Sequence, residues 1–109
     1  MVTPEQLRTL AAICPGASVI PEAGIDYVFL PGLKLTVGSE ERMVDALLCP
    51  AQHGGYSTRL FLAQAVPERG QNWTSHVICG RTWQTWSWNQ VPAELTLPQI
   101  LLAHLRALR

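Results

Sequence analysis

Cys79 lies in the run His76-Val77-Ile78-Cys79-Gly80, an apolar pair leading into a thiol beside a glycine that would let another backbone come close. A thiolate at such a position is a nucleophile for acyl transfer, and His76 or Arg81 would lower its pKa if the fold turned either toward it. The competing reading is a small buried hydrophobe, the usual fate of a free cysteine. Cys49-x3-His53 and His76-x2-Cys79 together offer two thiols and two imidazoles at spacings zinc accepts, although Pro50 constrains how the first pair converges. A Cys-His hydrolase would use Cys79 with His53 or His76 and would need an orienting third group, which no residue supplies by its spacing. His104 lies on an apolar stripe and reads as a satisfied, partly buried histidine.

Trp73, Trp83, Trp86 and Trp88 crowd into one short segment of a chain that is 7% aromatic. Such crowding suits an interface or a local core, because Trp is enriched at binding hot spots and also covers sheet faces. Trp83 and Trp86 are expected to pack inward, leaving Trp73 or Trp88 partly exposed for a partner. Asn72-Trp73-Thr74 matches a glycosylation acceptor formally, but no secretory signal is expected, so the match carries little weight.

The 109 residues suit a single domain over 1–109. With 48% hydrophobic and 15% charged residues and a mean hydropathy of +0.12, the chain has ample material for a core. Eight basic residues balance eight acidic ones, so nucleic-acid binding is disfavoured. No apolar run nears the roughly 20 residues that span a bilayer, so no membrane association and a cytoplasmic location are expected. Three cysteines are too few and too odd for a disulfide scaffold and fit a reducing compartment. No cofactor is expected.

The elements that must position these residues begin with Thr3-Pro4-Glu5-Gln6, a capping box with proline at the first helical position, which predicts a helix over about 4–13. Tyr27–Leu30 and Leu33–Val37 read as strands with Pro31-Gly32 turning or kinking the chain between them, and Leu33, Leu35 and Val37 share one face. Met43–Leu48 and Thr58–Ala63 follow as strands, close enough in sequence to make one antiparallel meander. Val66–Pro92 reads as an irregular, functional loop. Thr96-Leu97-Pro98-Gln99 repeats the capping box and starts a helix whose Leu97, Ile100, Leu101, His104, Leu105 and Leu108 should pack on the sheet. The class is α+β: N-terminal helix, antiparallel β-meander, irregular active-site loop, C-terminal helix.

In order, Asn72, Ile78-Cys79, Trp86-Ser87 and Ala93-Glu94-Leu95-Thr96-Leu97 before Ile100-Leu101-Leu102 resemble the active-site region of the ubiquitin-conjugating enzyme fold. Gly55-Tyr56-Ser57-Thr58-Arg59-Leu60-Phe61 resembles that family's flap entering a strand. Gly80-Arg81-Thr82-Trp83-Gln84 with Trp86-Ser87 is similar to a bacterial branch found with an adenylating enzyme, a deubiquitinase-like metallopeptidase and a ubiquitin-like protein. No His-Pro precedes Asn72, and the flap lacks Pro-Pro. The resemblance implies that Cys79 takes a ubiquitin-like C-terminus from the activating enzyme as a thioester and passes it to an acceptor nucleophile. It further implies Asn72 as an oxyanion donor, His76 as a proton acceptor, and Arg8 and Arg106 as contacts for the adenylating enzyme. The alternative it implies is a non-catalytic module that scaffolds the same pathway.

Overall fold

In the computed structural model, residues 2–51, 55–88 and 91–108 are described. They form α1 (Pro4–Ala11), β1 (Ser18–Glu22), β2 (Ile25–Val37), β3 (Glu40–Cys49), β4 (Arg59–Leu62), β5 (Thr74–Ile78), β6 (Arg81–Thr85) and α2 (Leu97–Arg106). The strands make one antiparallel sheet in the order β1-β2-β3-β4-β6-β5. The α+β class therefore holds, and β2 to β4 make up the expected meander.

Both capping boxes form as the sequence dictates. The Thr3 hydroxyl accepts from the Gln6 amide while the Gln6 side chain takes the Thr3 amide, and Thr96 with Gln99 repeats the exchange. Helix α1 stops at Ala11, short of the expected residue 13, because the amides of Ile13 and Cys14 both turn onto the Leu10 carbonyl.

The middle of the chain differs from expectation in three places. Tyr27–Leu30 and Leu33–Val37 are not two strands but parts of the single strand β2, kinked by a bulge between Leu30 and Leu33. Gly32 takes φ of +60° there, and its amide donates to Asp45 Oδ1 at 2.9 Å. The extra residue resets the alternation, so Val28 and Leu30 before it and Leu33, Leu35 and Val37 after it all join the same buried cluster. Strand β1 was not expected, since Pro21 interrupts its pattern; as an edge strand it tolerates the missing donor. Finally, the segment 66–92 is not irregular throughout, because β5 and β6 form a hairpin within it.

Two cores result, one on each face of the sheet. The helices cover the first, where Leu10 and Ile100 meet Val28, Leu48, Leu60 and Trp86. The second, built from Tyr27, Leu47, Cys49, Phe61, Ile78 and Trp83, lies on the opposite face, inside the curl of the sheet. Adjacent residues of β3 and β4 thus alternate between two buried faces, which is why Ala46-Leu47-Leu48-Cys49 and Leu60-Phe61-Leu62 are unbroken apolar runs. Among the described residues, no helix is long and apolar enough to cross a membrane.

Candidate functional site around the β5–β6 hairpin

Cys79 and Gly80 are the two linking residues between β5 and β6, with φ of +51° and +75°, the pair of positive angles a type I′ hairpin turn requires. Gly80 suits this; a β-carbon at Cys79 does so at a cost, since non-glycine residues enter the left-handed region reluctantly. The turn is held from across the fold. The Cys79 amide donates to the Glu22 carboxylate, with both Oε atoms at 2.8 Å, so the tip of the hairpin beside edge strand β5 is tied to the end of the opposite edge strand β1. The sheet is curled far enough for its edges to meet. A small cleft of about 170 Å³ lies along this seam, with Ile20, Phe29, Ile78, Cys79 and Trp83 in its walls.

The Cys79 side chain is exposed. Its thiol is nonetheless held above the ordinary cysteine range, by desolvation first and then by the charge and hydrogen bond of Glu22. The expected helpers do not lower it. Arg81 turns to Asp45, with Nη2 3.2 Å from Oδ2, and stacks its guanidinium 4.6 Å from the Trp83 ring centre. His76 shares the inner face with Ile78 and packs edge-on to Phe61 at 5.6 Å, its Nε2 3.0 Å from the Thr74 hydroxyl. Burial, followed by the charge of Arg59, lowers the imidazole's pKa and favours its neutral form.

Asn72 does not meet the thiol. It precedes β5 in a left-handed conformation, φ +54°, and is exposed, whereas Cys79 follows β5. The five residues of that strand put about 17 Å of extended chain between the two. The expected pairing of Asn72 with Cys79 as oxyanion donor and nucleophile is therefore not assembled in this structure. The proposed zinc constellation is not assembled either among the described residues. Cys49 is buried in the inner core, with its thiol toward the Ala51 carbonyl, and no group of three or more Cys, His, Asp or Glu converges. His53 lies outside the described residues.

The tryptophans divide as expected. Trp83 and Trp86 are buried, Trp73 is half-buried and Trp88 is exposed. Trp73 packs 5.1 Å from Trp86 and donates its indole N–H to the Arg69 carbonyl at 2.8 Å. Trp88 lies beside a cavity of about 370 Å³ shared with Arg69, Gly70, Ser87 and the C-cap of α2. Arg8 is exposed on α1, the helix-covered side of the sheet. The structure thus brings Trp73, Trp86 and Trp88 toward one region and leaves Cys79 on the seam of the curled sheet.

The residue missed from the sequence is Glu22. No local pattern marks it, because its contact with Cys79 joins positions 57 apart. No protein-family model, curated protein or solved structure matches this chain.

Proposed function

We propose that this chain is a non-catalytic protein-binding module, the scaffolding role implied by its resemblance to ubiquitin-conjugating enzymes, and that its partner is a ubiquitin-like protein or the adenylating enzyme acting on it. The observation that carries this reading is the setting of Cys79. A carboxylate holds its amide and disfavours its thiolate, while Asn72 sits at the far end of β5. Thioester exchange needs an accessible thiolate and donors aimed at the developing oxyanion. Here the charge nearest the thiol has the opposite sign from what either requirement asks. Exposed Trp88 beside a cavity shared with Arg69 supplies a contact surface of the aromatic and arginine type that partner interfaces favour, and Arg8 is exposed on α1.

One observation favours the second reading, Cys79 as an acyl carrier. The thiol is exposed at a hairpin tip, and nothing stands within 4 Å of the space beside Gly80, so an acyl donor has room to approach. Intact-mass analysis without reductant separates the two. The protein is mixed with ATP and with an adenylating enzyme and a ubiquitin-like protein of the bacterial branch it resembles, and binding of each partner is measured in parallel for the natural chain and Cys79→Ala. Binding that survives Cys79→Ala, with no thiol-labile adduct on the natural chain, supports the binding module. A thiol-labile adduct that disappears in Cys79→Ala overturns it in favour of the acyl carrier.

A further inference from the structure

Strand β2 runs beyond the neighbour that covers its outer edge. β1 pairs with Ile25–Phe29 only, whereas β3 pairs with β2 out to Val37. Among the described residues, 33–37 therefore have a strand partner on one side and none on the other, leaving about half of their backbone N–H and C=O groups pointing outward in register. A groove of about 640 Å³ runs along this open edge, with Leu102 and Leu105 of α2 and Ile13 after α1 among its walls on one side and Met43 and Lys34 on the other. Three of the large hydrophobic residues most exposed in this chain line it: Ile13 at 44%, Met43 at 67% and Leu102 at 47%. Apolar exposure gathered into one groove, rather than scattered, marks a surface that is covered by something.

The geometry points to an extended peptide as that something: we propose that residues 33–37 of β2 take up a partner strand whose outer residues alternate, apolar toward the helices and acidic toward Lys34. The main-chain row selects an extended backbone, because only a strand satisfies successive outward N–H and C=O groups. The two walls of the groove select its side chains. Leu33, Leu35 and Val37 face the helix-covered core, so a partner side chain on that face meets Leu102, Leu105 and Ile13. Lys34 and, directly across from it, Met43 are on the other face. Among the described residues, Lys34 is the sole charged residue of the lining and no carboxylate pairs with it.

That lone cation also decides against a second copy of this chain. Pairing two β2 edges antiparallel would bring two Lys34 ammonium groups onto one face with no carboxylate in the groove to separate them, an arrangement that sheet pairs disfavour. A strand carrying Asp or Glu at that position gains what self-pairing loses. The same lysine thus guards the edge against self-association and selects the partner. This surface is distinct from the Cys79 seam and from Trp88, and the proposal stands whichever role Cys79 plays.

The test uses the full chain, labelled with 15N, and acetyl-Val-Glu-Val-Thr-Val-amide as the probe, titrated to millimolar concentration. The expected result is saturable shifts of the amide resonances of residues 33–37, with slowed hydrogen exchange there. One of the two registers of alternate backbone N-methylation in the probe abolishes binding. Replacing the probe's Glu by Lys weakens binding about 2- to 5-fold, and Lys34→Glu reverses that preference. Shifts that are absent or that map elsewhere overturn the proposal, as does equal binding by both N-methylated probes. A concentration-dependent dimer in the absence of probe, with its contact at residues 33–37, overturns it in favour of self-pairing.

Discussion

Both carboxylate oxygens of Glu22 lie 2.8 Å from the amide nitrogen of Cys79, joining the end of one edge strand to the turn beside the other. This contact adds to the desolvation that raises the thiol, and it bridges the two edges of the sheet whose inner face buries Phe61, Trp83 and Tyr27. Glu22→Gln keeps an acceptor for the amide and removes the charge. The pH at which Cys79 becomes half-reactive toward a maleimide should fall in this variant, with Cys79→Ala as the unreactive control. An unchanged reactivity profile would show that desolvation alone sets the thiol.

Because Cys79 occupies a left-handed turn position before Gly80, Cys79→Asn installs the residue pair that type I′ turns prefer. The variant should be more stable by up to about 1 kcal/mol in urea unfolding, since Asn enters that region more readily than Cys. A loss of stability would mean that the thiol's contacts along the seam outweigh the turn preference.

His104 is 1% exposed, and its Nε2 is 2.9 Å from the Thr58 hydroxyl, which itself donates to the Val91 carbonyl at 2.9 Å. The hydroxyl's one proton is committed, so the imidazole donates from Nε2. Burial, then the charge of Arg59, lowers its pKa to about 4. The unfolded chain, with an ordinary value near 6.5, therefore binds more protons between these two pH values, and stability falls as pH drops from about 6.5 to about 4. The loss attributable to this group is on the order of 3 kcal/mol. Urea unfolding at pH 7 and pH 4.5 should show a much smaller pH effect for His104→Gln than for the natural chain.

Thr58→Val preserves shape and deletes the hydroxyl, leaving the His104 N–H and the Val91 carbonyl without it. Thr58 is buried, so the expected destabilisation is about 1–3 kcal/mol, read from denaturant midpoints at constant slope. A neutral outcome would mean that water enters to replace the hydroxyl.

Gly70 has φ of +71°, and a β-carbon there would stand 3.1 Å from the pyrrole edge of Trp86. Backbone strain and the crowded ring act together, so Gly70→Ala should cost about 1–3 kcal/mol and alter the fluorescence of the buried indole. Retention of both stability and emission would place the Trp86 ring elsewhere.

What the sequence determined by itself was local. The two capping boxes are exchanges across three residues, the alternation of Leu33, Leu35 and Val37 needs only the pleat, and the Leu97 to Leu108 stripe needs only the helical repeat. The inward packing of Trp83 and Trp86 was legible too, because rings of that size find cover in a small domain. Tertiary structure alone decided whether Pro31-Gly32 turned the chain or merely kinked it. A turn and a bulge use the same residues, and the choice lay with Asp45 on the next strand, which takes the Gly32 amide. Gly80, read along the chain as room for a substrate, is the second residue of a hairpin turn, since β5 finds its pairing partner in β6. The order of Asn72 and Cys79 in the sequence suggested a shared site, but order carries no distance. An extended strand between them holds them apart, while the curl of the sheet brings Glu22 from 57 residues away to the thiol's own amide. Short-range preferences act through neighbouring dihedrals and are written in adjacent residues; the meeting of two sheet edges depends on twist summed over six strands, which no single stretch of sequence encodes.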